Sequence, residues 1–215
     1  MNRYTDFLQN LRFAFGFLLL TLSVLGTGCT GTGRLAEGER LYAGAKVKIN
    51  KAEKSWDTKI LKTDLKKAVI LPRPNKKILW MRPKLAIYNT FQNRRAKSVG
   101  NFISNSFGEP PVLYVPEIAN RHRELLSERA ANDGFFKTKI ASSEKVRKHT
   151  MKLLHEVQVR SPRELVDKVV YPIGSDVLTR RIASLQQKSL VLPGKYYHLE
   201  DLMIERQRLS ATLRN

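Results

Sequence analysis

Apolar residues recur at two different spacings in the first part of this chain. From Ala45 to Asn50 every second residue is apolar, which is typical of a strand with one solvated face. From Trp56 to Ile70 the apolar residues recur at helical spacing between lysines, which predicts an amphipathic helix. The segment from Arg73 to Pro111 follows neither spacing, and we interpret it as a long inserted connection. These patterns favour an α+β fold.

A second helix and two strands are predicted next. Pro116 suits a first helical turn, and the apolar stripe that follows it stops near Gly134. A polar turn at residues 142–144 separates two runs with strand alternation, and we expect these strands to pair antiparallel because they are joined so closely. We expect Phe136, Thr138 and Ile140 to share one face of the first strand, and Leu153, Val157 and Val159 to share one face of the second.

The same order of elements begins again after Pro162. The pattern predicts a strand, then a helix capped by Ser175, then a helix that follows Gly194. The apolar positions are Val166, Val169, Val170 and Ile173 in the strand, Leu178, Ile182 and Leu185 in the first helix, and Leu202, Met203, Leu209 and Leu213 in the second.

One segment of the chain repeats another in register. Residues Tyr197 to Asn215 match residues Tyr114 to Asn132 at an offset of 197 − 114 = 83 positions, with Tyr, Glu, Arg, Leu, Ser and Asn recurring. We therefore expect one complete module at residues 45–160, which contains the insertion at 72–111, and part of a second module at residues 164–215.

The N-terminus has the layout of an export signal. Arg3 and Arg12 precede an apolar run that ends in small residues, which predicts a signal peptide at residues 1–28. Cys29 follows in a context that resembles a bacterial lipobox, so a lipid-bearing flexible leader is expected at residues 29–44. Gly26 departs from the lipobox pattern, and an ordinary signal peptide with an incidental cysteine is the alternative.

The formal net charge of +20 indicates a partner that carries phosphate groups, either anionic lipid or nucleic acid. Within the insertion, Glu109 is the only acidic residue. We expect the basic residues of the insertion to contact an anionic bilayer surface, and a solvated loop is the alternative. These residues are Arg73, Lys76, Lys77, Arg82, Lys84, Arg94, Arg95 and Lys97.

Catalytic and cofactor motifs are missing from the sequence. The four histidines are scattered, and neither HExxH nor GxSxG occurs. A GxGxxG pattern begins at Gly26, but no long helix opens at its last glycine, so a dinucleotide site is not indicated. We expect no enzyme activity, no cofactor and no metal. A nucleic-acid-binding module would explain the charge, but it would not explain the export signal, and the sequence has no nucleic-acid recognition motif.

The predicted order β-α-α-β-β, with Gly134-Phe135-Phe136 after the second helix, resembles the POTRA domain. POTRA domains precede the membrane barrel of outer-membrane assembly factors of the BamA and TamA type. The sequences at residues 72–77, 82–89 and 108–114, together with Cys29, are similar to those of the lipoprotein branch of that family, a TamA-like surface-antigen group. In that family further POTRA units and a barrel follow, and since neither follows Asn215 we expect this chain to be a truncated fragment.

This resemblance implies a lipid-anchored periplasmic part of an outer-membrane protein assembly or translocation factor. Its partners would be unfolded outer-membrane proteins or subunits of an assembly complex, bound by augmentation of a strand edge, and no nucleic acid is expected. The alternative is that the lysines of this edge only keep it soluble. The candidate edge residues are Phe135, Phe136, Lys137, Thr138, Lys139 and Ile140.

Overall fold

The computed structural model describes residues 31–54, 56–79, 81–92, 98–171 and 174–214. The predicted signal peptide and Cys29 lie outside these ranges. The fold is α+β, as the sequence predicts. Its elements are β1 (Leu41–Lys51), α1 (Lys59–Ala68), α2 (Pro83–Phe91), α3 (Val99–Phe107), α4 (Pro116–Asn132), β2 (Thr138–Arg147), β3 (Thr150–Val159), α5 (Val177–Ser184), a short 3-10 helix (Gln186–Lys188) and α6 (Leu199–Arg214).

The chain divides into two units. The first, here called the insertion unit, contains the described residues of Met1–Ala43, Arg73–Tyr114 and Val146–Met151. The second, here called the core unit, contains those of Gly44–Pro72, Val115–Lys145 and Lys152–Asn215.

The three described strands form one mixed sheet in the order β1-β3-β2. The amide of Leu41 donates to the carbonyl of His149 at 2.9 Å, and near the other end of β1 the amide of Ala52 donates to the carbonyl of Val159 at 3.1 Å. Residue numbers rise together along both strands, so β1 and β3 are parallel. Parallel strands need a long crossover between them, and α1 and α4 lie in that connection.

Strands β2 and β3 form an antiparallel hairpin, as predicted, but the turn was predicted at the wrong place. The two turn residues are Lys148 and His149, and Lys148 has φ = 44°. The polar residues 142–144 instead continue β2, because at the edge of a sheet the outward side chains are solvated and polar residues cost little there. The hairpin is therefore longer than predicted.

Helices α1 and α4 cover one face of the sheet in the core unit. Their buried leucines Leu61, Leu65 and Leu126 pack with Val157 and Val159 of β3. This arrangement confirms the helix predicted between Trp56 and Ile70, although α1 is shorter, and the helix predicted from Pro116. The apolar stripe of each helix is the face that leaves water.

The insertion is not an irregular connection, as the sequence pattern had suggested. It forms α2 and α3, which pack against each other. Asn75 is buried and joins the two ends of the insertion: its Nδ2 donates to the carbonyl of Pro110 at 2.8 Å, and its Oδ1 accepts from the amide of Val112 at 2.9 Å. Helix α3 exposes its apolar side, which is the reverse of the usual burial pattern.

The strand predicted from Val166 is also wrong over its described residues. No strand forms there, and Val170 is exposed. Pairing is limited to an isolated antiparallel bridge between Leu165 and Tyr196 and to the bonds of Val166 with Gly194 and Lys195, so valine content alone does not produce a strand without a longer neighbour to bond. Helix α5 begins after Asp176 rather than Ser175, and the Asp176 side chain accepts from the Thr179 amide. Helix α6 agrees with its prediction.

The backbone before α4 and the backbone before α6 bond in the same way. The amide of Tyr114 donates to the carbonyl of Arg40 at 2.8 Å, and the amide of Tyr197 donates to the carbonyl of Glu164 at 2.9 Å. Each bond lies beside an antiparallel bridge, Leu41 with Leu113 in one case and Leu165 with Tyr196 in the other. The repeat in the sequence thus corresponds to a repeated local structure.

Candidate strand-edge site

Strand β2 lies at one edge of the sheet, and β3 is its only bonded neighbour among the described strands. The amide of Arg160 donates to the carbonyl of Lys137 at 3.0 Å, which fixes the register of the hairpin. Ladder bonds alternate along an antiparallel pair, so Lys139 bonds toward β3, whereas Ile140 and Ser142 direct their amide and carbonyl groups away from it. The outward backbone groups of β2 are therefore available to another strand.

The structure separates the six predicted edge residues into two groups. Phe135 is only 2% exposed, and its amide donates to the carbonyl of Ala130 at 2.8 Å. It therefore belongs to the core, and its prediction as an edge residue is wrong. Phe136 is 52% exposed, and its ring contacts Tyr197 edge-on at 5.0 Å between centroids. Phe135, Phe136 and Lys137 precede the strand, which contains only Thr138, Lys139 and Ile140 of the predicted set.

A chain of hydrogen bonds ties this edge strand to the interior. The Oγ of Ser142 on β2 lies 2.7 Å from Nδ1 of His155 on β3, and Nε2 of His155 lies 3.1 Å from Nδ1 of His122 on α4. Nε2 of His122 lies 2.7 Å from the carbonyl oxygen of Leu71. Both imidazoles are buried. We call this chain the histidine relay.

The relay has a direction that follows from its last partner. A carbonyl only accepts, so Nε2 of His122 must donate to Leu71, and in a neutral ring Nδ1 then accepts from Nε2 of His155. Nδ1 of His155 accordingly accepts from the Ser142 hydroxyl. Burial, together with the nearby His122 and Arg123, lowers the pKa of His155 to about 4. A base so weak and so enclosed suits a structural tie better than activation of Ser142.

A second polar cluster surrounds the turn after α4. Gly134 has φ = 84°, and the guanidinium of Arg163 donates to the carbonyls of Asp133 and Tyr197 at 2.8 and 3.1 Å. Oδ1 of Asp133 lies 3.3 Å from Nε2 of His198. Burial raises the pKa of Asp133, and the charges of His198 and Arg163 oppose that effect. The cluster fixes the turn that leads into the edge strand.

Sequence reasoning identified neither the relay nor this cluster. A signal for the relay was present, because His122 occupies a position in the apolar stripe of α4 between Ala119 and Leu126. Ser142 and His155 face each other only once the hairpin register is known. Arg163 directly precedes the second module, and no pattern in the sequence indicates that its side chain binds the turn after α4.

The predicted basic surface is described only in part. Arg73, Lys76, Lys77 and Lys84 are exposed in the insertion unit. Arg82 is half-buried at the start of α2, and burial lowers its pKa. The remaining basic residues, Arg94, Arg95 and Lys97, lie outside the described residues.

No family model, curated protein or solved structure matches this chain. Of the helices in the described ranges, none has both the length and the apolar composition needed to cross a bilayer.

Proposed function

We propose that this chain is a periplasmic POTRA-type part of an outer-membrane protein assembly factor, and that it binds unfolded barrel precursors or partner subunits along the edge of β2. The proposal does not include catalysis. The observation that supports it best is the position of β2, whose outward backbone groups have no strand beside them among the described residues. The proposed site is the segment from Thr138 to Ser142.

Backbone pairing suits a receptor for many different sequences. An added strand bonds through amide and carbonyl groups that every residue except proline supplies, so recognition depends little on the side chains of the substrate. Lys139 is exposed on the solvated face of β2, where a charged residue limits uncontrolled association without blocking the backbone edge. The lipid anchor at Cys29 and the location on the periplasmic side of the outer membrane are part of the same proposal.

Disulfide trapping tests the pairing directly. In a full-length Cys29→Ser background, the exposed Ala141 is replaced by cysteine and the chain is mixed with synthetic peptides that alternate apolar and polar residues, each with one cysteine at a different position. Side chains of paired strands point to alternate faces, so we expect strong cross-linking at every second peptide position and weak cross-linking between them.

Two controls separate strand pairing from adventitious contact. Ser127→Cys places the thiol on the exposed side of α4, where no periodic cross-linking is expected. Peptides with proline at alternate positions lack the required donors and should cross-link poorly to Ala141→Cys. Cross-linking that is independent of cysteine position, or equal at residues 127 and 141, would exclude β-augmentation at this edge.

A further inference from the structure

Helix α3 turns its apolar side to solvent. Val99, Phe102 and Phe107 are 76%, 66% and 60% exposed. At helical spacing these three side chains fall within one broad stripe, together with the half-buried Ile103. A nine-residue helix therefore presents two exposed phenylalanines and a valine on the same side. This stripe is called the α3 apolar face.

The inward side of α3 is small and polar, which explains why the helix packs in this orientation. Ser104 is buried, and Gly108 ends the helix where an added Cβ would lie 3.0 Å from Cα of Tyr88 on α2. Such close approach of the backbone to a neighbouring helix is possible only with small residues at the contact. The large apolar side chains are consequently directed away from α2.

Exposed basic residues accompany this helix, while its own sequence has no charge. The amide of Glu109 donates to the carbonyl of Lys84 at 3.1 Å, so the backbone of Lys84 adjoins the C-terminal end of α3. Arg73, Lys76 and Lys77 of the same unit are also exposed. An apolar stripe accompanied by cations is the composition of helices that lie in the interface of an anionic bilayer.

We propose that α3 is a membrane-contact element that lies in the plane of an anionic lipid surface. Phe102, Phe107 and Val99 enter the boundary between headgroups and acyl chains, and exposed cations of the insertion unit such as Lys84 contact lipid phosphates. The charge argues for lipid over a protein partner, because Glu109 is the only acidic residue from Arg73 to Pro111. This inference is independent of the proposed function, since the surface lies on the insertion and not on β2.

Site-specific fluorescence tests whether the face leaves water. The full-length Cys29→Ser chain carries one new cysteine, Phe102→Cys, which is labelled with a polarity-sensitive dye and mixed with vesicles of phosphatidylglycerol and phosphatidylcholine. We expect brighter emission at shorter wavelength, and quenching by lipids that carry a nitroxide on the acyl chain. Vesicles of phosphatidylcholine alone should give little change, because the headgroups then have no net charge for the cations.

The matched control is Ser127→Cys in the same background, on an exposed side of α4. If the apolar run near the N-terminus alone carried the chain to vesicles, the dye at residue 102 would remain in water, and that result would overturn the proposal. Equal changes at residues 102 and 127 would also overturn it. Phe102→Ser combined with Phe107→Ser should reduce sedimentation with anionic vesicles while circular dichroism is unchanged, since both side chains are exposed in the fold.

Discussion

The imidazole rings of His122 and His155 meet edge to face inside the core unit, with 5.2 Å between centroids and an interplanar angle of 71°. One hydrogen bond of 3.1 Å joins them, and a single direction of donation satisfies both rings when they are neutral. The pair connects α4 to β3, and Ser142 extends the connection to β2. The hydrogen bonds that join α4, β3 and β2 therefore require both imidazoles to be neutral.

Acid should therefore weaken the fold. The pKa of His155 is about 4 in the folded chain and 6.5 in the reference state, so below pH 6.5 the unfolded chain binds more protons and the free energy of unfolding falls. We expect the free energy of unfolding of the core unit to be about 2 kcal/mol lower at pH 5 than at pH 7. Urea unfolding at both pH values measures this difference.

Histidine variants show whether the relay is the origin of that dependence. His155→Gln should remove most of the slope between pH 7 and pH 5, whereas His149→Gln changes an exposed ring in the hairpin turn and should leave the slope intact. A His155→Gln chain that keeps the full pH dependence would show that other groups cause it.

Gly134→Ala is expected to destabilise the core unit through two effects. The residue has φ = 84°, and an added Cβ would lie 3.0 Å from the carbonyl oxygen of Tyr197. We expect a loss of about 2–3 kcal/mol. The matched control is Gly194→Ala, where φ is 80° but an added Cβ meets nothing within 4 Å, so only the conformational cost of about 1 kcal/mol remains. Equal losses in urea unfolding would contradict the contact with Tyr197.

Helix α6 should exchange its amide hydrogens much faster than α4. The two helices are the repeated segments of the sequence, but α4 buries Ala119, His122, Leu126 and Ala130, whereas Glu205 is the only buried residue described in α6. Few buried contacts mean a low free energy of local opening. Hydrogen exchange with mass spectrometry on the full chain compares the pair directly, and similar protection in both helices would contradict this expectation.

We expect Glu205 to provide most of the free energy that opposes local opening of α6. Its carboxylate accepts from Arg208 at 2.7 and 2.9 Å and from the amide of Leu190 at 3.2 Å, and these hydrogen bonds, chiefly those from Arg208, lower the pKa of Glu205 to about 2. Glu205→Ala leaves these donors without their acceptor, so amide exchange around Leu190 and in α6 should accelerate by about tenfold or more. Glu200→Ala alters an exposed carboxylate on the same helix and should have little effect on exchange.

Elements with a repeated or capped sequence were predictable. Pro116 and the internal repeat located α4 and α6, because a proline at a first helical position and a copied stripe are local signals. Alternation, which is also a local signal, predicted the existence of β2, although the strand begins at Thr138 rather than at Phe136. The predicted edge residues Thr138, Lys139 and Ile140 lie in β2, and Phe135 was misplaced because alternation does not show where a core ends.

The remaining features depend on contacts between distant residues. The relay requires Leu71, His122 and His155 to meet, and their separations in the sequence contain no period that predicts it. The valine-rich segment after Leu165 has strand composition, but the described backbone bonds of this segment join only Val166, to Gly194 and Lys195. Propensity describes what a segment prefers, and the neighbours that decide the outcome come from elsewhere in the chain.

The repeated bridge before each long helix also bears on how the insertion could arise. Leu41 and Leu113 enclose more than twice as much chain as Leu165 and Tyr196, yet the same backbone pairing forms in both places. A loop that is twice as long costs only about 0.6 kcal/mol more to close. The helices α2 and α3 can therefore be added, exchanged or deleted at little cost in loop closure, so changes to the surface that they carry need not alter the strand edge.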